Sequence, residues 1–224
     1  MREIEPRDRE PIEVAIAGAH GKIAMALGRM LVDRGDIVWG LIRDSAHEDD
    51  LHDAGIEPVL CDLESDDDVA EAVSGAGAIV FAAGAGPGSG AARKRTMDLG
   101  GALKLIDAAR TEGIRRYVMV SAMGAADPPA GGGGVFGEYL RAKAEADEAL
   151  RASGLEYTIV RPGRLTDDGP TGRVRVGERL EPGEISRADV AAVLLACLDA
   201  RHTIDRSFDV VSGETPIGEA LAAL

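Results

Sequence analysis

Short apolar runs alternate with amphipathic segments along most of the chain. Seven runs, at 12–17, 37–42, 58–61, 78–83, 117–121, 157–161 and 208–211, are nearly continuously apolar. That is the pattern of strands covered on both faces. Helical periodicity fills 22–34, 46–53, 67–74, 91–112, 138–153 and 187–200, and a short final helix follows Pro216. The succession of βα units predicts an α/β fold, a doubly wound parallel sheet of about seven strands with helices on both faces. Beyond this rhythm there is no linker and no repeat. Residues 12–224 therefore read as one domain with a very small C-terminal substrate region, and the charged residues 1–11 as a solvated tail.

Composition narrows the partners. Aromatics are only 3% of 224 residues, so the core must be aliphatic. The formal charge of −14 opposes a phosphate backbone, which argues against nucleic acid. No apolar run approaches bilayer length, which argues against a membrane role. Cys61 and Cys197 sit in apolar segments without a CxxC-like partner, so we expect buried thiols, a cytoplasmic protein and no metal site. His47 and His52 fall in an acidic helical stretch and read as surface residues.

The first strand runs into Gly18-Ala-His20-Gly21-Lys22-Ile23-Ala24. Glycines between a strand and a helix allow a tight turn and close approach to a pyrophosphate, which the free N–H groups and positive end of the helix then bind. Ala24 replaces the third glycine of the usual pattern and still permits close helix–sheet packing. The fold is thus expected to be Rossmann-type, with Gly18, His20, Gly21, Lys22 and Ile23 at the phosphates. A nucleotide site preferring NAD usually ends its second strand on a carboxylate. Here Ile42 stands there and Arg43 follows, a guanidinium able to fork onto a 2′-phosphate, so the expected cofactor is NADP(H). Asp44 reads as a helix N-cap. Asp62 and Leu63 end the third strand, where they can meet adenine; a turn role for Asp62 is the alternative. Two more glycine-rich segments, 84–90 and 131–137, follow strand ends, the second either a lid or a plain surface loop.

Tyr139 and Lys143 are four residues apart on a predicted helix, hence on one face. An ammonium beside a phenol favours phenolate and lowers the phenol's pKa. Ser121 ends the fifth strand, where a hydroxyl can face the same crevice. Asp98 lies on the long helix after the fourth strand, either anchoring a network behind Lys143 or exposed on the helix surface.

Taken in order, GAHGKIA, LIRD, CDLE, VFAAGAGPGSG, KRTMDLGGALKLIDAA, VSAMGA, YLRAK and TIVRPG resemble the short-chain dehydrogenase/reductase superfamily. The likeness is to its short atypical branch, the NAD(P)H-binding or NAD-dependent epimerase/dehydratase-like proteins, and covers residue 12 to the end. The resemblance implies Tyr139 as catalytic acid/base, Lys143 as its partner and as a nicotinamide-ribose ligand, and Ser121 as the substrate-orienting hydroxyl. It puts Asp98 at the tetrad position that is usually Asn. It also implies that Ala82, Ala83 and Gly84 approach the cofactor and that Pro162 and Gly163 pack near the nicotinamide. The few residues between Pro162 and Ser186 leave little room for a nucleotide sugar. A small carbonyl, quinone or flavin-like substrate fits better. Three functions stay open: an NADP(H)-dependent oxidoreductase, a non-catalytic NADPH-binding redox sensor, and an epimerase or dehydratase on a sugar-like substrate. The chain is compatible with a monomer or a homodimer.

Overall fold

The computed structural model describes residues 10–65, 67–86 and 88–224. Most of the charged 1–11 segment lies outside them, as does Pro87 in the second glycine-rich segment. The chain runs β1 (Glu13–Ala17), α1 (Lys22–Asp33), β2 (Ile37–Ile42), α2 (Glu48–Asp53), β3 (Glu57–Leu60), α3 (Val69–Val73) and β4 (Ala78–Phe81). A long helical passage follows: α4 (Ala91–Arg93), a π-helical stretch (Lys94–Gly101) and α5 (Ala102–Thr111). Then come β5 (Arg116–Val120), α6 (Gly134–Arg151), β6 (Glu156–Pro162), β7 (Arg164–Thr166), β8 (Arg173–Gly177) and β9 (Glu184–Ser186). The chain closes with α7 (Arg187–Asp199), β10 (Arg206–Ser212), β11 (Thr215–Pro216) and α8 (Ile217–Ala222).

The main sheet has nine strands in the order β11-β8-β10-β6-β5-β4-β1-β2-β3. Its seven-strand run from β10 to β3 is parallel throughout and consists of the seven expected strands. The Rossmann class is as expected, but the sheet is larger. β8 extends its edge antiparallel to β10, β11 pairs antiparallel with β8, and β7 pairs parallel with β9 in a separate two-stranded sheet. The segment 172–177 is therefore one sheet strand rather than a self-contained hairpin. Strands of two or three residues are too short to show a period, which is why β7, β9 and β11 leave no mark in the apolar pattern.

The parallel strands inside the sheet are buried on both faces, their residues divided between two cores, while β3 at the edge is only partly covered. Val14, Ile16, Val80 and Val160 face Leu27 and Leu31 of α1 and Val190 and Leu194 of α7. Ala15, Ile79, Phe81 and Ile159 face Val73 of α3, Leu105 of α5 and Leu150 of α6. At about 25 cal/mol per Å² of apolar area, this two-sided burial is the main force holding the layers together. Close helix–sheet approach comes from Gly28 rather than from residue 24 alone: a Cβ there would stand 2.3 Å from Ile56 Cδ1.

Local chemistry sets several boundaries. Asp44 accepts from Ala46 N at 3.0 Å and so opens the short turn before α2. Ser186 caps α7 by accepting from Asp189 N at 3.0 Å, while Asp189 also receives the backbone N–H groups of Thr171 and Gly172. One expectation changes in kind. The helix foreseen over 91–112 widens into π geometry at Lys94–Gly101, a rare backbone form that gathers at functional sites. Another changes in extent: α6 starts at Gly134 rather than 138, because Gly132, Gly133 and Gly134 take left-handed φ values and turn the chain directly into the helix.

Candidate active site

β1 lies between β2 and β4, where the strand order reverses, and ligands of open α/β sheets bind outside the strand ends at that point. Gly18 makes the turn there with φ +76°, and a Cβ on it would lie 2.6 Å from Ala83 Cα. Both features require glycine. Gly21 then caps α1 without a side-chain hydrogen bond, and the first turn of α1 carries no acidic residue. The N–H groups of a twelve-residue helix are thus left facing the crevice, the arrangement that accepts an anion.

A cavity of about 360 Å³ opens beside this turn. Of the residues expected at the nucleotide, Gly18, His20, Gly21, Arg43, Asp62, Leu63, Ala82, Ala83 and Gly84 line it. Lys22, Ile23, Lys143, Pro162 and Gly163 do not. Lys22 reaches instead across the strand ends to Asp167, 2.6 Å away, which Arg187 also holds at 2.6 Å. Pro162 ends β6, its carbonyl accepting from Met123 N, and Gly163 packs so tightly that a Cβ would meet Gly183 O at 2.3 Å. Asp62 makes the turn that was its alternative reading, accepting from Glu64 N at 2.9 Å, while remaining on the cavity wall.

The cavity also holds groups that the sequence reading passed over. His47, expected on the surface, is half-buried and stacks on His20 with ring centroids 3.7 Å apart; His20 pairs with Asp50 at 2.8 Å. Arg93 lines the same wall and bonds Glu64 at 2.9 Å, and Arg43 lies 3.6 Å from the same carboxylate. Thr96 donates to Glu64 as well, at 2.5 Å. These partners come together only through folding, since Arg43, Glu64 and Arg93 belong to three different βα units. Cys61 is buried against this wall, and burial together with the Asp67 and Asp62 charges pushes its thiol up to about 11. Burial likewise raises the Cys197 thiol to about 12, so neither is a ready nucleophile.

Tyr139, Lys143 and Asp98 come together on residues that do not line this cavity. The Lys143 ammonium is 3% exposed, lies 3.4 Å from Asp98 Oδ1 and donates to Val120 O at 3.1 Å. Asp98 is 1% exposed, which removes the surface reading, and accepts from Ala85 N at 3.2 Å, tying the second glycine-rich segment to this centre. The π-helical stretch sets the turn on which Asp98 faces Lys143. Ser121 is 3% exposed at the end of β5.

The electrostatics differ from the expected lysine effect. Lys143 Nζ is 6.0 Å from the Tyr139 ring centroid and is committed to Asp98 and Val120 O. Burial, with the Asp98 and Asp147 charges behind it, raises the Tyr139 phenol above its ordinary range. Burial lowers the Lys143 ammonium, with Asp98 and Asp147 opposing. These surroundings favour the protonated form of the phenol.

Around the site, Arg141 donates to Pro129 O and Gly132 O, at 3.1 and 3.3 Å, and tethers the third glycine-rich segment to α6. Arg164 pairs with Glu184 across the β7–β9 sheet, and Arg173 of β8 donates to Glu214 O beside β11 at 2.5 Å. Among the described residues, no group of His, Cys, Asp and Glu could hold a metal ion, and no helix is long and apolar enough to cross a membrane.

A model of the NAD(P)H-binding family matches residues 18–201. The chain belongs to this family. It is 41% identical over 95% of its length to the whole of a Bacillus subtilis protein described as an uncharacterised sugar epimerase, YhfK. Among solved structures, a putative NAD-dependent epimerase/dehydratase from Bacillus halodurans superposes with a TM-score of 0.89 at 38% identity, covering 95% of this chain and all of that one. The anaerobilin reductase ChuY of Escherichia coli O157:H7 superposes at 0.77 with 26% identity, covering 90% and 98%. These neighbours agree with the atypical short-chain dehydrogenase/reductase superfamily.

Proposed function

We propose that this family member is an NADP(H)-dependent oxidoreductase that reduces a small carbonyl, quinone or flavin-like substrate, with Tyr139 as proton donor. The observation that carries the reading is the buried Lys143, fixed by Asp98 and Val120 O one helical turn from a phenol whose surroundings favour its protonated form.

The residues present fit a dinucleotide: the Gly18 turn leaves a cradle that any side chain would fill, and the uncapped α1 terminus points amides into it. Gly18, Gly21 and the first turn of α1 would hold the pyrophosphate, Asp62 and Leu63 the adenine, and Arg43 with Arg93 the 2′-phosphate. When bound, the nicotinamide supplies hydride to the substrate carbon. Tyr139 gives its proton to the substrate oxygen, Ser121 orients that oxygen, and Lys143, steadied by Asp98, holds the nicotinamide ribose and returns positive charge to the phenolate as it forms. Phe136 is 66% exposed with its ring centroid 6.0 Å from that of Tyr139, an open aromatic face that favours a planar conjugated substrate. The reductase named among the structural neighbours supports the same direction.

A second reading rests on the epimerase descriptions of the relatives: hydride would leave and return to one sugar-like substrate. The narrow β7–β9 region, where Gly163 packs against Gly183, weighs against a large sugar nucleotide.

Calorimetric titration with NADPH and NADH tests the cofactor; equal affinities, or tighter NADH, remove the role given to Arg43. A carbonyl, quinone and flavin panel followed by NADPH absorbance tests the reaction. Tyr139→Phe should lower kcat by at least about 100-fold while leaving NADPH affinity within about twofold. Undiminished turnover in that variant would remove the proton-transfer role. Tight NADPH binding with no turnover across the panel would favour a sensor.

A further inference from the structure

One carboxylate joins the two arginines of the nucleotide wall without itself reaching the cavity. Arg43 and Arg93 both line that cavity; Glu64 does not, and its side chain is 19% exposed. Arg93 donates to one oxygen of Glu64, Oε2, through Nε at 3.1 Å and Nη2 at 2.9 Å. The Nη1 of Arg43 lies 3.6 Å from the same oxygen. The other oxygen, Oε1, accepts from the Thr96 hydroxyl at 2.5 Å. Thr96 stands on the π-helical stretch, so the carboxylate is fixed at both oxygens. Among the described residues, Glu64 is the one carboxylate that pairs with either guanidinium.

A guanidinium is a planar fork of N–H donors, and one edge of it can be committed while the rest still reaches a second acceptor. With Nε and Nη2 on Glu64, Arg93 keeps its Nη1 hydrogens for a ligand. Two guanidiniums against one carboxylate also leave a net positive charge here, in a chain whose sum is −14. We propose that Glu64 is a positioning residue for cofactor choice: by holding Arg93 beside Arg43 before the nucleotide arrives, it prepares a fork for the 2′-phosphate and favours a nucleotide that carries this group over one that lacks it. This rests on the reading of Arg43 and Arg93 as the 2′-phosphate ligands. An arginine already held in place loses less freedom when the phosphate binds. The charge of Glu64 works the other way, because a carboxylate repels a nearby phosphate. Placement and charge therefore predict opposite results when the side chain is removed.

Adenosine 2′,5′-bisphosphate and adenosine 5′-monophosphate differ in the 2′-phosphate alone, and titrating them by calorimetry needs neither nicotinamide nor turnover. The readout is the ratio of their affinities, which in the parent should favour the bisphosphate. Glu64→Ala should lower that ratio by about tenfold, the worth of one charge-assisted hydrogen bond, with the monophosphate affinity unchanged. Glu64→Gln keeps an oxygen for Arg93 and offers Thr96 an N–H, and should hold the ratio within about threefold of the parent. With Arg93→Met already in place, Glu64→Ala should shift the ratio by less than about twofold, because Glu64 acts through Arg93. The proposal is overturned by a ratio that Glu64→Ala leaves unchanged or raises, by a loss shared equally between the two ligands, by a loss in Glu64→Gln as large as in Glu64→Ala, or by an undiminished loss in the Arg93→Met background. A parent that does not prefer the bisphosphate refutes the 2′-phosphate reading, and the proposal with it. A preference that survives Glu64→Ala refutes the proposal alone.

Discussion

At the residue scale, Gly18 and Asp147 show opposite ways in which this site holds energy. Gly18 is strained for any other residue, since φ +76° and the Ala83 backbone at 2.6 Å leave no place for a Cβ. We expect Gly18→Ala to cost about 2–4 kcal/mol in denaturant unfolding and to abolish nucleotide binding. Asp147 is a burden the native protein carries above mid-acid pH. Its carboxyl rises from 3.8 to about 6 on folding, so the folded state binds the proton more tightly than the unfolded chain. For a raised acid, stability is highest below the unfolded pKa and declines as pH rises toward the folded one. Between these limits the loss is about 3 kcal/mol. Asp147→Asn, which cannot ionise, should therefore be more stable than the parent by up to about that amount above pH 7, with the gain vanishing below about pH 4. Thermal unfolding of both proteins across this range checks it; a gain independent of pH would mean that the carboxyl does not titrate as stated.

At the element scale, the π-helical stretch Lys94–Gly101 sets the registry between α4 and α5, and with it the placement of Asp98 against Lys143. A π segment holds an extra residue per turn relative to an α-helix. Deleting Gly100 should let the passage regularise and rotate Asp98 by about 100° relative to α5. Lys143 then loses its buried counter-ion. We expect turnover to collapse while the far-UV circular dichroism stays that of a folded α/β protein; an active deletion variant would show that the stretch is not what positions Asp98. The continuous helix over 91–112 was legible from apolar periodicity, but the change of pitch was not. π and α geometry bury nearly the same face over two turns, and the choice is made by the contacts of Met97 and Asp98 with their surroundings.

At the scale of the whole molecule, the −14 charge acts through its sum. Many Arg and Asp residues pair across elements, as in Arg34 with Asp199 at 2.5 Å and Arg187 with Asp167 at 2.6 Å, yet the excess of carboxylates is left to repel itself. Screening shortens the reach of that repulsion to about 3 Å at 1 M salt. We expect the unfolding temperature to rise by several degrees between low salt and about 0.5 M sodium chloride, measured by scanning calorimetry. A fall would mean that the cross-element ion pairs outweigh the net repulsion.

Local pattern along the chain already carries much of this fold. The seven parallel strands were legible because each is apolar on both faces, and the glycine turn because only glycine tolerates its backbone. Asp44 announced its cap through the polar helical stretch that follows it. Tyr139 and Lys143 were placed on one face by helical spacing alone. Folding decided what depends on residues far apart in the chain. Arg43, Glu64 and Arg93 meet only because three βα units converge at one edge of the crevice. His47 is half-covered only because the β1 turn brings His20 against it. The reversal of the Tyr139 expectation has the same origin: the lysine's effect on the phenol depends on where Asp98 and Asp147 stand in a buried, weakly screened space, and spacing along one helix carries no information about either.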